Sequence, residues 1–161
     1  MRRLLSRLGR DDRGAALVEF AILLPMMLLL FAVTIEGGRL FWSYQATIAG
    51  VRDASRYLAR VAPSDLCASG GSLAGYTAQL ETIVRTRASG AAVFPTGISV
   101  TSVTPTFTCG ASTFRNGAPA IASVRADLQV TFPFAGVFGL FGQELNTIDT
   151  FVVDQNRVYG T

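Results

Sequence analysis

The chain has 161 residues, half of them hydrophobic, with a mean hydropathy of +0.39, high for a soluble domain. All 14 basic residues are Arg, and there is no Lys or His, which removes Ser-His-Asp and Cys-His constellations, Schiff-base lysines and His-built metal sites. The net charge of +3 resides in residues 1–14, where five Arg oppose two Asp, so the basic pI does not report a nucleic-acid-binding face.

Arg2, Arg3, Arg7, Arg10 and Arg13 form a basic tip directly before an apolar run. Positive charge beside a membrane span is retained in the cytoplasm, so residues 1–14 read as a cytoplasmic leader. Residues 15–35 are apolar apart from Glu19 and Thr34, and their 21 residues match the length that crosses a bilayer as a helix. A cleavable secretory signal has a shorter apolar core, with small residues after it. Here the small residues Gly14, Ala15 and Ala16 precede the core. The basic segment therefore looks removable and the apolar run retained. Pro25 lies inside the run and is expected to kink the helix by removing one of its hydrogen bonds. Glu19 is the one carboxylate in the run, and an ionisable group there is a functional candidate by default. A cut after Gly14 would make Ala15 a free ammonium, one helical turn from Glu19.

Glu36-Gly37-Gly38-Arg39 ends the apolar stretch. Phe41, Trp42 and Tyr44 follow, of the types that collect at membrane–water interfaces. The helical pattern continues to Ala62. Ile48, Val51, Ser55 and Leu58 share one face, Arg52, Arg56 and Arg60 another, and Pro63 stops the run. One long helix over residues 15–62 is expected, with a possible bend at Gly37-Gly38. Residues 63–73 read as a loop. Residues 73–88 read as a second helix with an apolar stripe of Tyr76, Leu80, Ile83 and Val84 and a Glu81–Arg85 pair, closed by Ser89-Gly90.

The period then changes to two. Strands are predicted over residues 98–108, 120–132 and 147–158, with Asn116-Gly117 in the turn between the first two. Strands in succession without helices between them favour an antiparallel sheet. Residues 133–145 crowd Phe134, Val137, Phe138, Leu140 and Phe141 into a glycine-rich connection. It reads either as a loop tucked on the core or as an exposed patch for a partner subunit. Cys67 and Cys109 lie after the span, outside the cytoplasm by the positive-inside rule. A disulfide between them is expected there, with two buried free thiols as the alternative.

The fold class is thus α+β and pilin-like: a long N-terminal helix, transmembrane in its first half, then a short helix and a small antiparallel sheet. The expected divisions are the leader at 1–14, the transmembrane helix at 15–36, its extracytoplasmic extension at 37–62 and a globular domain at 63–161. No enzyme activity, cofactor, metal, small-molecule substrate or nucleic-acid partner is expected.

A basic leader, Gly14, a short apolar spacer, Glu19 with Phe20, and a hydrophobic helix resemble the processing site of type IV prepilins. The string Arg13-Gly14-Ala15-Ala16-Leu17-Val18-Glu19-Phe20-Ala21, then Leu24-Pro25 and Glu36-Gly37-Gly38-Arg39, is similar to the TadE and TadF pseudopilins of tight-adherence (Tad/Flp) pilus systems. The resemblance implies a minor pilin cut by a prepilin peptidase between Gly14 and Ala15. Glu19 would pair with the new Ala15 amine during assembly, with Phe20 beside it. It implies as partners the peptidase, other pilins or pseudopilins, the Tad secretion platform and membrane lipid. The protein would be a single-pass inner-membrane protein, N-terminus cytoplasmic, its C-terminal domain periplasmic or carried into the pilus. The alternative is an uncleaved envelope anchor whose outer domain binds another envelope component.

Overall fold

The computed structural model describes residues 12–86, 92–111, 118–139, 142 and 146–160. Most of the basic leader, Ser89-Gly90, Asn116-Gly117, Leu140 and Phe141 lie outside the described residues, as does the side chain of Val137.

Helix α1 (Asp12–Val61) runs 50 residues and carries Pro25 inside it. Its first half is long and apolar enough to cross a membrane and is almost unburied by the rest of the chain. Leu17, Ile22, Met26 and Leu30 all stand exposed. Its second half is the opposite. Ser43, Thr47, Val51, Ala54, Ser55, Leu58, Ala59 and Ala62 are buried, at three- and four-residue steps that keep one stripe against the domain. Arg52, Arg56 and Arg60 are exposed on the other side, as the spacing predicts.

The partner of that stripe is a three-stranded antiparallel sheet in the order β1 (Ile98–Cys109), β2 (Ala120–Thr131), β3 (Thr147–Arg157). β2 is central. Its Ala120, Ala122, Val124, Ala126, Leu128 and Val130 face the helices, and Arg125, Gln129 and Thr131 face solvent. This is the alternation of an antiparallel sheet with one wet face. On that face Arg125 stacks over Phe151, 3.9 Å from the ring centroid, and pairs with Asp127 at 2.7 Å. The Arg125 hydrogen bond, with one from Ser102, holds the Asp127 carboxyl below its ordinary pKa. Pro105 sits in β1, an edge strand, where a missing N–H breaks no ladder from a central strand.

Helix α3 (Thr77–Arg85), entered through a 3-10 turn at Ala74–Tyr76, completes the cover of the sheet. Leu80 and Val84 are buried, Tyr76 and Ile83 half-buried, and Glu81 reaches Arg85 at 3.7 Å. Gly50 makes this layer close: a Cβ there would stand 3.1 Å from the Val84 Cα. The helix is shorter than predicted because Thr86 turns extended and bridges to Ala92.

Two connections differ from the sequence reading. Residues 63–73 are not wholly loop: they hold a one-turn helix, α2 (Leu66–Ser69), whose Leu66 is buried and which Gly70 ends in the left-handed region at φ 66°. Cys67 of this turn is disulfide-bonded to Cys109 at the end of β1, with 5.8 Å between the Cα atoms. The second is the β2–β3 connection. It contains a short helix, α4 (Ala135–Gly139), that packs on α1.

The far end of α1 is tied as well. Tyr159 N–H donates to the Ala59 carbonyl at 2.9 Å and Tyr76 Oη to the Val61 carbonyl at 3.1 Å. These satisfy acceptors that a helix end leaves open.

Leu58 is fully buried between the layers, whereas Tyr57 is about one-third exposed. Leu58→Ala is expected to cost about 2–5 kcal/mol, and Tyr57→Ala much less, read as denaturant midpoints of the detergent-solubilised chain. The disulfide spans a sequence separation of 42 residues. Replacing both cysteines with Ser is expected to lower stability by about 3–5 kcal/mol in the chain-entropy treatment, checked in the same assay.

Candidate functional site

The residues singled out in the sequence fall in two places along α1. The first is its start. The helix begins at Asp12, so Gly14 and Ala15 lie in its first turn and a half, and Glu19 and Phe20 about one turn further on. All four are exposed. No hydrogen bond or ion pair joins Glu19 to another described residue of the chain. A carboxylate on the apolar part of the helix thus has no partner among the described residues, which makes it a candidate functional group.

Gly14 is informative by what it does not do. A Cβ built on it meets nothing within 4 Å, and it does not have positive φ. Helical glycine costs roughly 0.5–1 kcal/mol relative to Ala. No packing or backbone requirement among the described residues accounts for a glycine here.

The second place is the outer end of the apolar run, and here the structure adds residues that sequence reasoning gave no role. Glu36 is 5% exposed. Both of its carboxylate oxygens are used: Oε2 accepts from the Arg39 guanidinium at 3.0 Å, and Oε1 accepts from the Phe134 N–H at 3.0 Å. Arg39 in turn donates to the Thr96 carbonyl. Thr96 precedes β1 and Phe134 follows β2, so one ion pair on α1 holds both connections at the near end of the sheet. Gly97 beside it has φ 85°, and its carbonyl accepts from Thr131 N–H at 2.7 Å, which joins the two connections to each other. The sequence carried a signal for this latch. A carboxylate and a guanidinium three residues apart share a helix face, and burial beside an apolar span favours a paired arrangement.

A third polar cluster lies deeper. Ser55, buried on α1, donates to Asp154 Oδ2 of β3, and Asn156 Nδ2 donates to Ser55 Oγ at 2.7 Å. These bonds register β3 against α1. Among the described residues no three His, Cys, Asp or Glu are grouped as metal ligands would be.

The fold is α+β, and its one long helix is both a membrane-length apolar segment and part of the sheet domain's core, which fits a single-pass membrane anchor. The family comparison adds the particular kind. Residues 14–56 match the family described as TadE-like protein. That stretch is similar to a structural or accessory family associated with Tad pili, and it supports a Tad pilus-associated membrane protein. The match begins at Gly14 and takes in Glu19, Glu36 and Arg39, while the sheet lies beyond it. No curated protein and no solved structure matches the chain.

Glu36→Ala would strand the Phe134 N–H and the Arg39 guanidinium. It is expected to lower stability by about 1–3 kcal/mol. Glu36→Gln keeps an acceptor for Phe134 and should lose less. Denaturant midpoints of the full chain in detergent, together with protease cutting within the β2–β3 connection, would read both effects.

Proposed function

We propose that this protein is a minor pilin of a tight-adherence pilus, inserted through α1 with residues 1–14 in the cytoplasm and the sheet domain outside it. A prepilin peptidase removes the leader after Gly14. The new Ala15 ammonium then neutralises Glu19, either within one chain or between neighbouring subunits as they pack in the assembling pilus. The pair is one helical turn apart, a spacing at which opposite charges on a helix attract. In the apolar surroundings of packed spans that attraction is stronger than in water.

The observation that carries this reading is the combination at the head of α1: an exposed Glu19 without an intrachain partner among the described residues, five residues after a glycine that no described contact requires. The family match starting at Gly14 supports it. Other pilins or pseudopilins and the secretion platform are the partners this role needs, with Phe20 part of the subunit contact. Pro25, inside the span, would loosen the helix there and let it adjust to neighbours.

N-terminal sequencing of membrane-purified protein tests the processing step. The mature chain is expected to start at Ala15 in cells with an active peptidase. A chain still beginning at Met1 would instead mark an uncleaved envelope anchor. Gly14→Ala is expected to leave folding intact, because its methyl meets open space, and to block cutting. Glu19→Ala is expected to insert and be cut yet to fail in supporting piliation, seen by electron microscopy of pili. Normal piliation in that variant would remove the ammonium-pairing role.

A further inference from the structure

The buried stripe of α1 does not begin where the apolar run ends. It begins inside it. Ala32, one turn before Glu36 on the same face, is only 4% exposed, although the neighbouring Phe31 and Val33 are open. One turn on, the β2–β3 connection reaches α1: Phe134 N–H is bonded to Glu36, and α4 contacts the helix. The connection therefore stands beside the last turn of the span and not against the sheet's inner face.

Its composition suits that depth. Residues 133–142 carry no charge, and Phe134 and Phe138 are both part-exposed. Residues 15–35 span about 31 Å as a helix, close to the hydrocarbon thickness of roughly 30 Å. Ala32 then lies about 5 Å inside the outer boundary, and Glu36 at it. Backbone at such a depth must have its polar groups satisfied. Among the described groups, Phe132 N–H donates to the Asn146 carbonyl, Ala135 N–H to the Phe132 carbonyl, Phe138 N–H to the Phe134 carbonyl, Gly142 N–H to the Gly139 carbonyl, and Phe134 N–H to Glu36. Glu36 enters this zone with both oxygens bonded and its charge opposed by Arg39. Further out on α1, Phe41 and Trp42 are exposed in the position of an interfacial belt.

We infer that the β2–β3 connection, with Phe134 and α4 at its centre, is a second membrane contact seated in the outer interface of the bilayer. This rests on α1 being a membrane anchor. The lipid surface is its occupant because the connection is continuous with the lipid-facing surface of the span and aligned in depth with its end. A docked protein segment would need neither alignment. The contact would set the tilt of the sheet domain relative to the bilayer, since the Glu36–Arg39 latch joins it to α1.

Trp42 is the single tryptophan, which allows a direct test on the full chain. Three reporters, I22W, F134W and Y159W, are each placed in a W42F background. They are reconstituted in dioleoylphosphatidylcholine vesicles with or without chain-brominated lipid, a short-range quencher. I22W reports the span, F134W the connection and Y159W the far end of the domain. F134W is expected to show about half or more of the quenching of I22W, and Y159W none, as for a group seated at the headgroup–acyl boundary. F138W serves as a second reporter if F134W fails to retain the disulfide and a folded spectrum. Quenching of I22W without F134W or F138W would overturn the inference while leaving the anchor standing. That pattern with F134W shielded from acrylamide would assign the connection to a protein contact instead. Equal quenching of F134W and Y159W would mean a domain lying flat on the surface and would also overturn it. An unquenched I22W would refute the anchor reading itself, and this inference with it.

Discussion

The structure depends on one helix meeting two solvents. The first half of α1 presents Leu17, Ile22, Met26 and Leu30 outward, an apolar surface long enough to cross a membrane. The second half presents Val51, Ala54, Leu58 and Ala62 inward, against the sheet and α3. The sheet has too few strands to close on itself, and a two- or three-stranded sheet needs an apolar layer to be stable. Without the outer half of α1 the inner faces of β2 and β3 would be open to water, while α3 lies on β1. The small residues on that stripe let the layers approach closely, most visibly at Gly50 against Val84.

Such an arrangement needs fastening at both ends, since a helix bound only in its middle could pivot. At the far end Tyr159 and Tyr76 bond the last carbonyls of α1, and the Cys67–Cys109 disulfide ties α2 to the end of β1. At the near end Glu36 and Arg39 hold Phe134 and Thr96. Between them the Ser55–Asp154–Asn156 bonds register β3 on α1. A partly buried carboxylate is costly unless its oxygens and charge are met, and Glu36 has both conditions satisfied. That cost gives the near-end contact its specificity: an alternative seating of the domain would leave the charge unpaired.

The head of α1 obeys a different logic. Gly14 and Glu19 contribute nothing visible to the fold, and both are unfavourable by ordinary helix or membrane criteria. Residues that local physics disfavours, and that the fold does not use, are where function is expected. The TadE-like match begins at Gly14 and includes Glu19. The carboxylate without a described partner, Glu19, and the one that seats the domain, Glu36, thus lie about 17 residues apart on one helix, roughly 25 Å by helical rise.

Much of this was written in the chain itself. The length and apolarity of residues 15–35, the three- and four-residue spacing from Val51 to Leu58, and the strict alternation in β2 each follow from local periodicity. Periodicity does not depend on which partner an element meets, so the long helix, the amphipathic second helix and all three strands were legible. So was the pairing of Cys67 with Cys109 as one of two options, which the structure resolves as a bond. Tertiary structure decided the rest. The turn at Leu66–Ser69 has no period of its own; burial of Leu66 and the disulfide hold it. The 133–145 connection offered two placements, core or partner surface; among its described residues α4 packs on α1 and Phe134 stays partly exposed. Its position follows from a bond between residues 98 apart, Phe134 to Glu36, and no local pattern encodes a contact at that separation. The sequence alone determined which elements form and where charge is out of place. Only the packed chain determined which of those charges, Glu36, is already paired, while Glu19 has no partner among the described residues.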